Sequence, residues 1–154
     1  MLQVSTVAEL RAAVAGLARP VGLLPTMGAL HAGHMSLVRQ AREDNASVVA
    51  TIFVNPTQFA PTDDLARYPR PLVEDLALFA GEQVDVVFTP DVGEMYGADF
   101  ATTVRVDGPT RGFEGDERPG HFDGVATVVT KLLLQSQADV AYFGRKDAQQ
   151  AAVI

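Results

Sequence analysis

The chain has 154 residues, enough for one domain with a genuine core and short for two. Hydrophobic residues make up 47% and charged ones 20%, and the most apolar run, "GVATVVTKLLL", is broken by Lys131 at about half the length of a bilayer crossing. The absence of cysteine excludes disulfides, thiolate metal sites and cysteine nucleophiles, and a net charge of −7 works against non-specific attraction to nucleic acid or anionic lipid.

Residues 5–20, "STVAELRAAVAGLARP", predict a first helix, with Thr6 as its cap, Glu9 completing a capping box and Pro20 as its stop. "VGLLP" (21–25) reads as a brief buried strand. After a glycine-containing turn, residues 34–45 place Leu37, Val38 and Ala41 on one helical face. "SVVATIFVN" (47–55) is β-branched and apolar on both faces, as a central parallel strand should be. Residues 64–82 give a loop and then a helix. "VDVVFTP" (84–90) is a third strand and "FATTVRV" (100–106) a fourth, more exposed one.

Residues 107–122, rich in Gly, Pro and charge, predict a long surface loop. A mostly buried helix follows over 123–137, with Asp123 a candidate cap, then a last strand, "ADVAYFG" (138–144), and the start of another helix in 145–154. Strands alternating with helical patterns imply an α/β fold, a parallel sheet with helices on both faces, whose ligands bind beyond the carboxyl ends of the strands. The polar clusters fall at those ends. The lack of a charged, apolar N-terminal leader and of cysteine fits a cytoplasmic location.

In "PTMGALHAGH", His31 and His34 admit three readings. A metal site would need further ligands from His121 and carboxylates, and a structural turn needs no ligand at all. A phosphate site would use Gly28 and Gly33 for close backbone approach, a helix N-terminus near His34 and two imidazole donors; there is no Gly-Lys-Ser/Thr, so it is not a P-loop. "FVNPTQF" is either a turn opened by Asn55-Pro56 or a pocket in which Gln58 holds a small polar substrate. "RPGHFDGV" sets Arg118 and His121 just before the buried helix. In "FGRKDAQQ", Lys146 suits a phosphate and Asp147 a pair of ribose hydroxyls.

Together "PTMGALHAGH", "IFVNPTQF", "YPR", "RPGHFDGVATVV" and "FGRKDAQQ" resemble the pantothenate synthetase (pantoate–β-alanine ligase) family along essentially the whole chain. The first is a version of the His-x-Gly-His signature of nucleotidylyltransferases. The resemblance implies a Rossmann-like domain and an ATP- and Mg²⁺-dependent ligation through a pantoyl adenylate, with Mg²⁺ held by the ATP phosphates rather than by a protein metal site. By position, His31, His34 and Lys146 are the catalytic residues and hold phosphate. Asp147 and Gly144 bind ribose, and Met27 lies against nucleotide and pantoate. Gln58 and Gln150 bind pantoate, with Asn55 shaping that pocket and His121 and Arg118 nearby.

The partners implied are pantoate, β-alanine and ATP, with no nucleic acid or membrane, in a homodimer formed through this domain. Two departures from the family pattern, Arg145 and Ala148, touch none of these roles. Family members carry a C-terminal domain that nothing here matches. Residues 1–154 are therefore expected to be an N-terminal nucleotide- and pantoate-binding domain that folds and binds ATP weakly, with little or no ligase activity. Two other readings are a noncatalytic nucleotide-binding module and a different nucleotidylyltransferase.

Overall fold

The fold follows from period-2 side-chain alternation in strands that are apolar on both faces. In the computed structural model, which describes residues 1–59 and 65–154, the chain runs β1 (Leu2–Val4), α1 (Val7–Ala15), β2 (Val21–Thr26), α2 (Ala32–Asp44) and β3 (Ser47–Ile52). It continues through α3 (Leu72–Gly81), β4 (Val86–Phe88), α4 (Val92–Met95), α5 (Glu114–Glu117), α6 (His121–Ser136), β5 (Val140–Ala141) and α7 (Ala148–Val153), with single 3-10 turns at Pro56–Gln58 and Leu65–Arg67. The first residue of the 64–82 reading lies outside the described residues.

All strands are parallel, in the order β1-β4-β3-β2-β5. The central pair runs in register from Val21 opposite Ser47 to Thr26 opposite Ile52. Alternate residues of β2, β3 and β4 feed two separate cores. Leu23, Val49, Val86 and Phe88 pack with residues of α1 and α6, such as Leu10 and Val125. Leu24, Val48, Ala50 and Val87 pack on the opposite face with Val38 of α2 and Phe79 of α3. Helices on both faces are therefore borne out. From β2 the chain steps outward through β3 to β4, then returns by α6 to place β5 on the other side of β2. That reversal opens a crevice at the carboxyl ends of β2 and β5.

The Thr6–Glu9 capping box is present: Thr6 Oγ1 accepts from Glu9 N–H at 3.2 Å, and Glu9 Oε2 accepts from Thr6 N–H at 3.0 Å. Several expectations are corrected. α1 ends at Ala15, where the Gly16 N–H closes onto Ala13 and Val14 carbonyls, well before Pro20. Residues 100–106 form no strand; Val104 N–H instead donates to Thr127 Oγ1 of α6 at 2.9 Å, and Val104 and Val106 pack on the core. The additional strand is β1, on the outer edge of β4. α6 begins at His121 with Gly120 (φ +82°) as its cap, so Asp123 lies inside the first turn and faces Arg105 at 3.6 Å.

Candidate active site

The turn after β2 is fixed by its own amides. Thr26 Oγ1 donates to the Thr51 carbonyl at 2.6 Å and accepts from Gly28 N–H at 3.1 Å. Gly28 (φ +81°) and Ala29 (φ +51°) are both left-handed, and a Cβ on Gly28 would lie 2.8 Å from Asp75 Oδ2. Asp75 of α3, only 1% exposed, accepts from Ala29 N–H at 2.9 Å and Leu30 N–H at 2.8 Å. Three successive amides are thus tied into the protein, leaving side chains to face the crevice. Nothing in the sequence singled out Asp75, because its partners lie 45 and 46 positions away.

α2 starts at Ala32, two residues earlier than expected, because His31 is its cap: His31 Nδ1 accepts from Gly33 N–H at 3.1 Å. That bond puts the proton of a neutral His31 on Nε2. It also engages one amide of the helix N-terminus that was expected to greet an anion. The His31 and His34 rings sit 4.1 Å apart. His34 Nδ1 is buried with no hydrogen-bond partner. Burial lowers the His34 pKa, repulsion from His31 and Lys146 adds to that, and Asp75 opposes it. His34 is therefore a neutral imidazole beside an exposed one.

The turn after β3 is held by Asn55, 1% exposed. Its Oδ1 accepts from Tyr96 OH at 2.7 Å and Thr57 Oγ1 at 2.9 Å; its Nδ2 donates to Gln58 Oε1 at 3.0 Å and to the Gly124 carbonyl at 3.2 Å. α6 approaches so closely that a Cβ on Gly124 would lie 2.6 Å from the Thr57 carbonyl carbon. His121 Nδ1 is 2.7 Å from the Gln58 carbonyl oxygen, and Arg118 Nη2 donates to the same oxygen at 3.4 Å. Both therefore grip the backbone of this turn, and neither borders the cleft described next.

A cleft of about 600 Å³ opens at the crevice. The loop after β2 contributes Met27, His31 and His34 to its wall, and the turn after β3 contributes Asn55 and Gln58. Gly144, Lys146, Asp147 and Gln150 border it from beyond β5, and Tyr68, which was not anticipated, closes one side. Lys146 Nζ lies 3.8 Å from Asp147 Oδ1, and both side chains are exposed, free to reach a ligand. Gln149, adjacent to Gln150, accepts from Glu114 N–H at 3.1 Å and donates to the Gly112 carbonyl at 2.9 Å, tying the 107–120 segment to α7. Among the described residues no group of three or more His, Cys, Asp or Glu is placed to hold a metal, and no helix is long and apolar enough to cross a membrane.

The wall of this cleft brings together a cation, two imidazoles and neutral amides with aliphatic residues such as Val125 and Leu132. Similar proteins carry the same framework. A pantothenate synthetase from Roseiflexus sp. is 57% identical over 154 residues, covering all of this chain and 55% of that protein. The pantothenate synthetase structure from Thermus thermophilus matches with a TM-score of 0.94 at 55% identity, over 99% of this chain and 55% of that one. A pantoate-β-alanine ligase from Francisella tularensis, complexed with β-γ ATP and β-alanine, matches with a TM-score of 0.95 at 36% identity, over 99% and 60% of the two chains. The chain spans about half the length of the curated relatives it matches. The family model for pantoate-β-alanine ligase matches residues 2–154, and the chain belongs to that family.

Proposed function

We propose that this chain is the nucleotide- and pantoate-binding domain of an ATP-dependent ligase that joins pantoate to β-alanine. The observation that carries the reading is the convergence on one cleft of the imidazole pair, Lys146–Asp147 and the amides Gln58 and Gln150, from three separate strand ends. In this reading the pantoate carboxylate attacks the α-phosphorus of ATP, pyrophosphate departs, and the β-alanine amine then displaces AMP from the pantoyl adenylate.

A carboxylate approaching a polyphosphate meets like charge, so the site must offset repulsion and hold the reacting atoms in line. His31, with its proton on Nε2, donates to phosphate oxygens, and Lys146 adds a mobile positive charge. His34, kept neutral by burial, donates without adding a charge. Asp147 and Gly144 take the ribose, and Met27 lies between nucleotide and pantoate. Gln58 and Gln150 hold pantoate as neutral partners, so its carboxylate keeps its nucleophilic lone pairs. Asn55 fixes the Gln58 turn, while His121 and Arg118 hold it from behind.

Asp147 is the one carboxylate on the described wall of the cleft, a poor oxygen set for a protein-held Mg²⁺. Mg²⁺ would come with the phosphates and supply charge neutralisation there. The family resemblance further suggests a cytoplasmic homodimer.

Titration of the chain with α,β-methylene-ATP and with pantoate tests the site, and each is expected to bind. A folded chain that binds neither overturns the reading. Pantoate-dependent exchange of labelled pyrophosphate into ATP tests the chemistry. Exchange is expected to require pantoate, and exchange that proceeds equally well without it would point to another nucleotidylyltransferase.

A further inference from the structure

Asp75 lies outside the wall of the main cleft, yet it is bonded to the loop that forms one side of it. Its carboxylate is almost wholly buried, in the first turn of α3, and a buried carboxylate is costly unless it is hydrogen-bonded. Its two oxygens accept from the Ala29 and Leu30 amides at 2.9 and 2.8 Å. Those amides lie between Met27 and His31, both of which border the cleft. The turn they belong to is left-handed at two consecutive residues, one of them a non-glycine, a conformation that persists only where surroundings over-determine it. An apolar residue at position 75 would fill the same volume but leave two amides unsatisfied.

We infer that Asp75 is a positioning residue for nucleotide: through the Ala29 and Leu30 amides it holds the left-handed turn that presents Met27 and the His31–His34 pair to the cleft. The inference rests on the reading of that cleft as a nucleotide site. Asp85 is a natural contrast. Its Oδ2 accepts from Val48 N–H at 2.7 Å and from Arg42 at 2.8 Å, near the opposite, amino ends of β3 and β4. It is also a half-buried carboxylate holding backbone, but neither Val48 nor Arg42 borders the cleft.

The test is made on the folded 154-residue chain by NMR-detected amide exchange and by calorimetric titration with α,β-methylene-ATP. In the parent chain the Ala29 and Leu30 amides are expected to be protected although they lie in a loop. Asp75→Asn replaces one acceptor oxygen with a donor that faces an N–H. It is expected to speed exchange of one or both amides, and to weaken the nucleotide analogue, each by about ten-fold. Asp85→Asn is expected to lower the melting temperature while leaving both readouts at parent values.

Rapid exchange of Ala29 and Leu30 in the parent overturns the inference however the variants fold. So does an Asp75→Asn chain that binds the analogue as the parent does, which leaves the reading of the cleft standing. Failure of the folded parent to bind the analogue overturns the reading of the cleft itself.

Discussion

The side-chain amide of Asn55 donates to the main-chain carbonyl of Gly124 at 3.2 Å, joining the turn after β3 to the first turns of α6. The contact is possible because position 124 has no side chain. A Cβ there would meet the Thr57 carbonyl, with the Gln58 amide nitrogen 2.8 Å away. These are backbone atoms, which cannot rotate aside.

Gly124→Ala is therefore expected to push the turn outward. Overpacking of about 1–3 kcal/mol outweighs the roughly 1 kcal/mol gained in helix propensity, so a net loss of about 1 kcal/mol is expected in denaturant unfolding. Under the proposed role of Gln58, which rides on the displaced turn, pantoate affinity in a titration should fall further than stability alone would require.

Tyr96→Phe removes one donor from Asn55 Oδ1 and leaves the ring in place, edge-on to Phe100 with centroids 4.8 Å apart. Asn55 Oδ1 still accepts from Thr57 Oγ1. The expected cost is about 1 kcal/mol of stability, the ordinary value of one hydrogen bond lost with a remaining partner. Chemical denaturation measures it.

How far the residues alone revealed this site depends on the range of each interaction. The capping box of Thr6 and Glu9 is local, and it was readable. So was the β-branched run of β3, whose alternate residues face two cores. β1 was not, because three residues at a chain end carry no period and are defined only by pairing with β4. Residues 100–106 alternate like a strand, but the alternation reflects Val104 and Val106 resting on the core, with α6 supplying the hydrogen bond a neighbouring strand would have made. Asp75 carries no local signal, because its partners are the distant Ala29 and Leu30 amides. Its role exists only because the sheet brings the turn after β2 against α3.

Lys146 has a side chain 81% exposed and, among the described residues, an ion pair only to its neighbour Asp147, so it contributes little to the fold. Lys146→Ala should leave the melting temperature nearly unchanged, within about 0.5 kcal/mol of stability. If it contacts phosphate, binding of α,β-methylene-ATP should weaken about ten-fold, and the difference from the parent should shrink as salt is raised. Isothermal titration at two salt concentrations checks both parts.

Gln149→Ala would release the 107–120 segment from α7, since one amide reaches Glu114 N–H, the Pro109 carbonyl and the Gly112 carbonyl. Arg111 in that segment is exposed. Faster trypsin cleavage after Arg111 is expected, with a global stability loss of about 1–2 kcal/mol. Equal cleavage rates in parent and variant would show that the segment is held by other contacts.

The lowered pKa of His34 carries a definite sign. In the unfolded chain the imidazole titrates near its ordinary value of 6.5, while in the fold burial, first, and repulsion from His31 and Lys146 keep it neutral to lower pH. Between the two values the unfolded chain binds more protons, so stability falls as pH drops from 6.5 toward the folded value and is flat below it. Melting temperature measured from pH 7.5 downward should show this loss, starting about one unit above the ordinary imidazole value, and His34→Gln should lack that part of it. A bound polyphosphate favours the charged ring, so adding α,β-methylene-ATP should flatten the same slope in the parent. A slope equally steep with the analogue bound would place His34 away from the phosphates.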